Sequence, residues 1–498
     1  MTWSTQLATT HRRMPNGWRT GILALSIVFL ALPVTGGAQT RALSAADSAL
    51  VGRILLAEDR RDSTDGALAE GSRHRDARVR VLAQRARGRI RDPRFATRDS
   101  LPAARAPVTW PEPAWRLRHR ALTARRAECA ALRAALADSA WPVRLHAADL
   151  VTPQCATDDS LSRVLQGWVD ALPADASRRS RDGVSWHAAA HALVALARVQ
   201  PREARPRVRT LAAHRQWQVR TYAARAAAVL SDTVVLRTLA RDTNDNVKEV
   251  AIESLAKLTG HADDEIFLAA LGSDGAQAVR AAAIALEASP RADVATAANA
   301  TFERWVSRAN QSERDVRVAL LEAAGRPASD DRPPPSRIEL PPQAVALALG
   351  ADLRLRVTLA PRSGGGSFVV RLRGDAAPMM AARILALARS GYYDGLSWHR
   401  VEHDFVIQGG SPGANEYVGL AQYLRDELGT VPHARGTVGM STRGHNTGDA
   451  QWFVNLKDNL RLNRDYTVFA EVIEGIDVVD GILEGDVMEH VRVERTPR

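Results

Sequence analysis

The sequence predicts a multidomain protein: an all-α solenoid of helical repeats, then a closed β-barrel capped by two helices. Three observations carry this expectation. At 498 residues the chain is too long for one hydrophobic core. A Val-Arg pattern recurs along an Ala- and Leu-rich helical stretch. After a run of prolines, the hydrophobic period changes from about 3.6 toward 2. The organisation that follows is a leader over 1–38, helical repeats over 43–325, a Pro-rich linker over 326–343 and the barrel over 344–498.

Hydrophobic content of 45% and charge of 25% are globular values, which excludes wholesale disorder. The net charge of +11 raises the question of a polyanion partner. Nearly all the basic residues are Arg, with lysines at Lys248, Lys257 and Lys457. Acidic residues are interleaved with them throughout, so the charge reads as a solvated mixed surface, and no nucleic-acid partner is expected.

Arg12, Arg13 and Arg19 precede the apolar run Gly21 to Val34, and Gly36-Gly37-Ala38 supplies small residues after it. This is the three-part design of a secretory signal, with cleavage expected after Ala38. The run is shorter than the ~20 residues a spanning helix needs, so no stable membrane span is expected after cleavage. An exported protein, periplasmic or secreted, follows. Its two cysteines, Cys129 and Cys155, could pair in such a compartment. Their spacing does not set the Cα separation, so paired and free forms both stay open.

The helical element repeats a loop with Asp, Ser, Asn or Gly, then Val-Arg opening an apolar helix. Instances are DARVRVLAQRA from Asp76, SAWPVRLHAADLV from Ser139, RQWQVRTYAARAAAVL from Arg215 and NDNVKEVAIESLAKL from Asn244. GAQAVRAAAIALEA from Gly275 and RDVRVALLEAAG from Arg314 continue it. Steps between Val219, Val247, Val279 and Val316 are 28, 32 and 37 residues. Each hairpin is too small for its own core, so neighbours must stack. The Val is expected to pack inward and the Arg to reach back to carbonyls or an Asp across the inter-repeat loop. This resembles the HEAT-repeat family, most clearly across 205–325, and the resemblance implies a possible protein partner on the array. His187 and His191, at i and i+4, could seat a metal, but no third ligand accompanies them and a structural pair is expected.

RPASDDRPPPSRIELPPQ, from Arg326 to Gln343, cannot continue a helix. Beyond it, DLRLRVTLA and SFVVRLRG alternate like a hairpin about Gly364-Gly365-Gly366. APMMAARILALARSG reads as a helix ending at Gly391. Short strands then lead to a last helix near GIDVVDGIL and a final strand near VMEHVRVER.

Three spaced blocks carry the chemistry: GYYDGLSWHRVEHDFVIQGGSP from Gly391, HARGTVGMSTRGHNTGDAQWFVNL from His433 and LRLNRDYTVFAEVIEGIDVVDGI from Leu460. In this order they resemble the cyclophilin-type peptidyl-prolyl cis/trans isomerases. The resemblance implies Arg400 and Gln408 as catalytic residues. It implies Phe405, Val406, Phe453 and Leu462 as a proline pocket, and Gln451, Thr442 and Tyr466 as further substrate-binding positions. No metal or cofactor is implied, and the partners implied are proline-containing polypeptides.

These residue types suit the reaction. An X-Pro bond rotates over a barrier of about 18–20 kcal/mol, set by amide conjugation. Its transition state is a twisted amide with a basic nitrogen, which a guanidinium donor stabilises more than it does the planar ground state. Several positions depart from the family pattern: Trp398 and Trp452 for Phe, Ser441-Thr442-Arg443 for Ala-Asn-Ala, Ala470 for Gly, Asn463 for Asp. Arg461 stands where cyclosporin-sensitive members tend to carry Trp, which implies weak inhibition. Two functions follow: an exported foldase with a protein-binding array, or a weakly catalytic or non-catalytic scaffold that binds Pro-containing peptides.

Overall fold

The computed structural model describes residues 43–93, 101–172, 186–332 and 339–495. The expected leader and its cleavage point, and the linker residues Pro333 to Ile338, lie outside them.

The helical part opens with α1 (Ala45–Arg60), α2 (Gly66–Ser72), α3 (Ala77–Arg91), α4 (Ala114–Ala124), α5 (Cys129–Ala135) and α6 (Trp141–Leu150). It continues through α7 (Asp159–Asp170), α8 (Trp186–Val199), α9 (Pro201–Leu211), α10 (Trp217–Val229) and α11 (Thr233–Leu239). It ends with α12 (Asp245–Thr259), α13 (Asp264–Ala270), α14 (Ala276–Ala285), α15 (Val294–Val306) and α16 (Arg314–Ala323). Helices α8, α10, α12, α14 and α16 pack each on the next.

The recurring Val-Arg pair explains the stacking. Val79, Val143, Val219, Val247, Val279 and Val316 are all fully or almost fully buried, each contributing about 1.5–3 kcal/mol. The following cation turns back across the loop. Arg80 donates to the carbonyls of His74 (2.7 Å) and Arg75 (2.8 Å). Arg220 grips Asp242 at 2.7 Å through both Nε and Nη2. Arg317 pairs with Asp331 (2.7 Å) and donates to the Asn310 carbonyl (2.7 Å). Helix starts are capped by short polar side chains: Asp76 accepts from the Arg78 amide and Asn244 from the Asn246 amide.

Cys129 and Cys155 form a disulfide, with Cα atoms 5.5 Å apart. It joins the start of α5 to the turn after α6 and closes a sequence separation of 26 residues. Replacing both cysteines by serine should lower stability by about 3 kcal/mol. Urea unfolding with and without reductant measures this, and a reductant-insensitive wild type would contradict it.

Glu249 on α12 is pushed up to about 7 by burial and by neighbouring Glu253, against a smaller opposing effect of Arg280. A carboxyl raised in the folded state contributes stability that is fully present below its ordinary value and lost as pH rises through about 7. Glu249→Gln should therefore flatten the stability profile between pH 5 and 8. Wild type should lose up to roughly 3 kcal/mol more than the variant over that interval. Urea midpoints at the two pH values test this, and parallel losses would refute it.

The C-terminal part begins with α17 (Ala344–Ala348), which packs on α1 and on α18 (Pro378–Arg389). Its strands are β1 (Leu353–Leu359), β2 (Ser367–Leu372), β3 (Trp398–Val401), β4 (Val406–Gly409), β5 (Thr437–Met440), β6 (Trp452–Asn455), β7 (Val468–Glu474) and β8 (Met488–Arg495). A short α19 (Ile476–Asp480) lies between the last two. The strands form one curled antiparallel sheet in the order β3-β4-β6-β5-β7-β2-β1-β8. Alternation in β1 buries Leu355, Val357 and Leu359. Outer strands β3 and β8 have no ladder between them, but they meet at a Ser397–Val487 bridge. Hydrogen bonds from the Trp398 amide to Asp486 O and from the Met488 amide to Leu396 O flank it, both 2.8 Å.

The described residues from Ala45 onward form one compact unit. Buried arginines from the helices enter the C-terminal part. Arg116 of α4, with no exposed surface, donates to the Leu456 carbonyl and pairs with Asp480 at 3.0 Å. Arg89 of α3 donates to the carbonyls of Leu428 (2.8 Å) and Glu427 (3.1 Å). Residues 105–111 run along the sheet: the Val108 amide donates to Glu471 (2.9 Å) and the Trp110 indole to the Val472 carbonyl (3.0 Å).

Candidate active site

Strand register assembles the site. Arg400 of β3 pairs with Gln408 of β4, and Gln408 pairs with Phe453 of β6. Directly opposed residues share a face, so these three side chains stand side by side. Gly439 of β5 lies opposite Phe453. A Cβ there would come within 2.3 Å of the ring, so only glycine admits the aromatic floor.

Val406, Phe453 and Leu462 form a small buried apolar cluster, with Phe405 and Tyr466 packed against it. The Tyr466 ring meets Phe453 edge-on at 5.8 Å. Together with Arg400, Gln408 and Thr442 these residues line a cleft of about 170 Å³. Gln451 stands behind it and fixes Gln408: Gln408 Nε2 donates to Gln451 Oε1 at 3.2 Å. Gln451 Nε2 in turn donates to the carbonyls of Glu416 (3.2 Å) and Val418 (3.1 Å). The structure thus brings all nine sequence-predicted residues to one place.

The Arg400 guanidinium sits at the lip of this cleft, 39% exposed. Its Nη1 donates to Gln408 Oε1 at 3.4 Å and to Glu416 Oε1 at 3.0 Å, while Nε donates to Glu402 Oε1 at 2.8 Å. Both carboxylates are more than 40% exposed, and such pairs are worth about 0–1 kcal/mol. They orient the guanidinium without locking it against a substrate.

His433 supports the floor from below. Its ring stacks on Phe453 at 5.7 Å. Asn455 Nδ2 donates to His433 Nδ1 (3.2 Å), which leaves the proton on Nε2 to be donated to the Tyr466 carbonyl (3.1 Å). Burial pushes His433 down to about 4, so the imidazole is neutral at physiological pH. Among the described residues no His, Cys, Asp and Glu group is arranged to hold a metal, and no helix is long and apolar enough to cross a membrane.

The sequence profile of the family described as cyclophilin type peptidyl-prolyl cis-trans isomerase/CLD matches residues 356–498. A peptidyl-prolyl cis-trans isomerase of Helicobacter pylori is 34% identical over 134 residues, which span 26% of this chain and 82% of that protein. Peptidyl-prolyl cis-trans isomerase B of Bacillus subtilis is 36% identical over 132 residues, 26% of this chain and 92% of that protein. The chain belongs to the cyclophilin family. Among solved structures, a cyclophilin type isomerase of Cryptosporidium parvum is similar at 22% identity, with a TM-score of 0.27, covering 29% of this chain and 99% of that one.

In this cyclophilin the departures from the family pattern have visible uses. Trp398 and Trp452, both buried, meet edge-to-face at 5.0 Å in the interior. The Arg461 guanidinium lies 4.4 Å from the centre of the Phe405 ring, beside the apolar cluster. Arg443, whose added charge was legible in the sequence, does not project into the groove as a free cation. It pairs with Asp315 of α16 and donates to the Ser312 carbonyl (2.7 Å) and the Tyr423 hydroxyl (3.0 Å).

Sequence reasoning missed Glu402, Glu416 and His433, although all three lie in or near the quoted blocks. Glu402 was findable, two residues along the strand from Arg400 and so on the same face. Glu416 was not, because its loop is set by the helices. Asn415 donates to Asn246 Oδ1 at 3.2 Å, Asn246 to the Gly413 carbonyl at 3.0 Å, and the Gln311 amide to the Ala421 carbonyl at 2.9 Å. The helical array therefore holds the loop whose Glu416 pairs with Arg400.

Proposed function

We propose that this cyclophilin isomerises X-Pro bonds in exported polypeptides and assists their folding, with the helices acting as a HEAT-type protein-binding array and the curled sheet closing as a barrel at the Ser397–Val487 bridge. The observation that carries the reading is the Arg400 guanidinium at the lip of an apolar slot walled by Phe405, Val406, Phe453 and Leu462. The export reading is supported by the apolar run Gly21 to Val34 and by the Cys129–Cys155 disulfide, a bond that persists in oxidising compartments.

Phe405, Val406, Phe453 and Leu462 grip the proline ring by burial of apolar surface. Gln408, oriented by Gln451, offers its amide to the peptide carbonyl. As the imide twists, conjugation is lost and its nitrogen gains basicity. Arg400 donates to that nitrogen, so the interaction is stronger in the twisted state than in the planar one. The relation of Glu402 and Glu416 to Arg400 supplies the orientation beforehand, which lowers the reorganisation needed on binding.

The test is exchange spectroscopy on an X-Pro tetrapeptide with catalytic amounts of the protein. Accelerated cis/trans exchange is expected. Binding of the peptide without acceleration would leave the alternative, a scaffold that recognises Pro-containing segments.

A further inference from the structure

A second cavity, of about 480 Å³, adjoins the proline slot and shares Arg400 and Phe405 with it. One wall is β3 and the turn after it, with His399 and His403. The other wall comes from α4, α6, α8 and α10, through residues that include His119, Asp149 and Tyr222. These helices lie outside residues 356–498, the part matched by the family profile. The cavity therefore forms only where this chain's helical array meets the isomerase domain.

Its lining carries unspent hydrogen-bonding capacity. His119 Nδ1 and His403 Nδ1 are buried with no hydrogen-bond partner among the described residues. Burial pushes His119 and His399 down to about 4, so these rings are neutral at physiological pH. A neutral imidazole donates from one nitrogen and accepts at the other, which matches the alternating N–H and C=O groups of a peptide backbone.

The charges around the cavity are uneven. Glu402 is held by Arg400 at the slot, and Asp404 by Arg120 (3.1 Å) and Lys457 (2.8 Å). The two remaining carboxylates have no such cation within pairing distance. Asp149 meets His191 at 2.7 Å, and Glu484 accepts from the Tyr222 hydroxyl at 3.0 Å. Opposite them stands one guanidinium, Arg225, stacked on the Tyr222 ring at 4.4 Å.

We infer that this cavity extends the substrate groove: it takes the residues flanking the proline in the same polypeptide and favours a lysine or arginine side chain there over an acidic one. The inference rests on the isomerase reading for the position of the proline. The two openings share Arg400, so a chain seated in the slot has a direct path into the cavity. Asp149 and Glu484 then face its side chains, with the histidine rings forming part of the cavity wall.

The test uses the full chain and twelve-residue peptides with a single proline, extended on either side and carrying Lys or Glu within four residues of it. Rates come from exchange spectroscopy and Kd values from anisotropy of labelled peptides. On one side of the proline, the Lys peptide should bind and react about three- to fivefold better than its Glu counterpart, as expected for a partly exposed charge pair. The ratio should fall to about one in Asp149→Asn/Glu484→Gln, and part of the way in Asp149→Asn alone. A ratio near one in wild type on both sides, or a ratio unchanged in the variants, overturns the inference. A tetrapeptide too short to reach the cavity separates the two readings: if it is not isomerised, the isomerase reading fails. The Lys-to-Glu ratio of Kd values then decides the cavity by the same criterion.

Discussion

Arg400→Ala should lower kcat/KM for X-Pro isomerisation by about two to three orders of magnitude, the usual cost of removing one preorganised donor aimed at a developing charge. The slot formed by Phe405, Val406, Phe453 and Leu462 does not depend on the guanidinium, so peptide binding should weaken far less than turnover. Stability should move by less than about 1 kcal/mol, because the pairs of Arg400 with Glu402 and Glu416 are exposed. Arg400→Lys should recover only part of the rate. A lysine places one point charge where the arginine fork reaches Gln408, Glu402 and Glu416 together. Exchange spectroscopy and urea unfolding of both variants measure these effects. Wild-type turnover in Arg400→Ala would remove the basis of the catalytic assignment and leave a proline-peptide binder.

Arg89→Met should destabilise the fold by about 3–5 kcal/mol, the range for breaking a buried ion pair from one side. Arg89 is 1% exposed and reaches across from α3. It pairs with Glu58 of α1 at 2.5 Å, donates to three carbonyls of the C-terminal part (Ala376, Glu427 and Leu428), and lies 3.8 Å from the Glu427 carboxylate. Methionine fills much of the volume but strands those acceptors. Burial raises the pKa of Glu58, but Arg85 and Arg89 more than offset this and hold the carboxyl below its ordinary value of 4.5. Its stabilising contribution is therefore present above that value and lost as pH falls. The double variant Glu58→Met/Arg89→Met should be less destabilised than the two single effects added, since the Glu58 carboxylate is no longer left facing the missing charge. Urea midpoints for the three variants close the cycle. Strict additivity would show that the pair is not coupled.

The parts of the fold legible in the sequence are those written in neighbouring residues. Alternation in Leu353 to Leu359 marked a strand, and the inward side chains are buried as a period of two requires. The Val of each Val-Arg pair is buried, and Arg80, Arg220 and Arg317 reach the carbonyls or carboxylates they were expected to find. His187 and His191 were read as a structural pair. Their partners are the Glu484 carbonyl, Asp149 and Tyr222, and both rings line the cavity beside Arg400. No local pattern could show that, because Glu484 lies 297 residues from His187.

The sequence by itself determined the chemistry of the slot. Three blocks resembling the cyclophilins implied a guanidinium, two amides and a set of apolar side chains at one site, and strand register brings Arg400, Gln408 and Phe453 side by side once one face is buried. Tertiary structure alone decided what surrounds the slot: the disulfide between Cys129 and Cys155, the pull of Asp315 on Arg443, the carboxylates on Arg400 and the histidine-lined cavity. The physical reason is one of range. Period and propensity act over a few residues. An ion pair or a cavity wall depends on where distant segments of the chain meet, and in this molecule the helices meet the sheet beside Arg400.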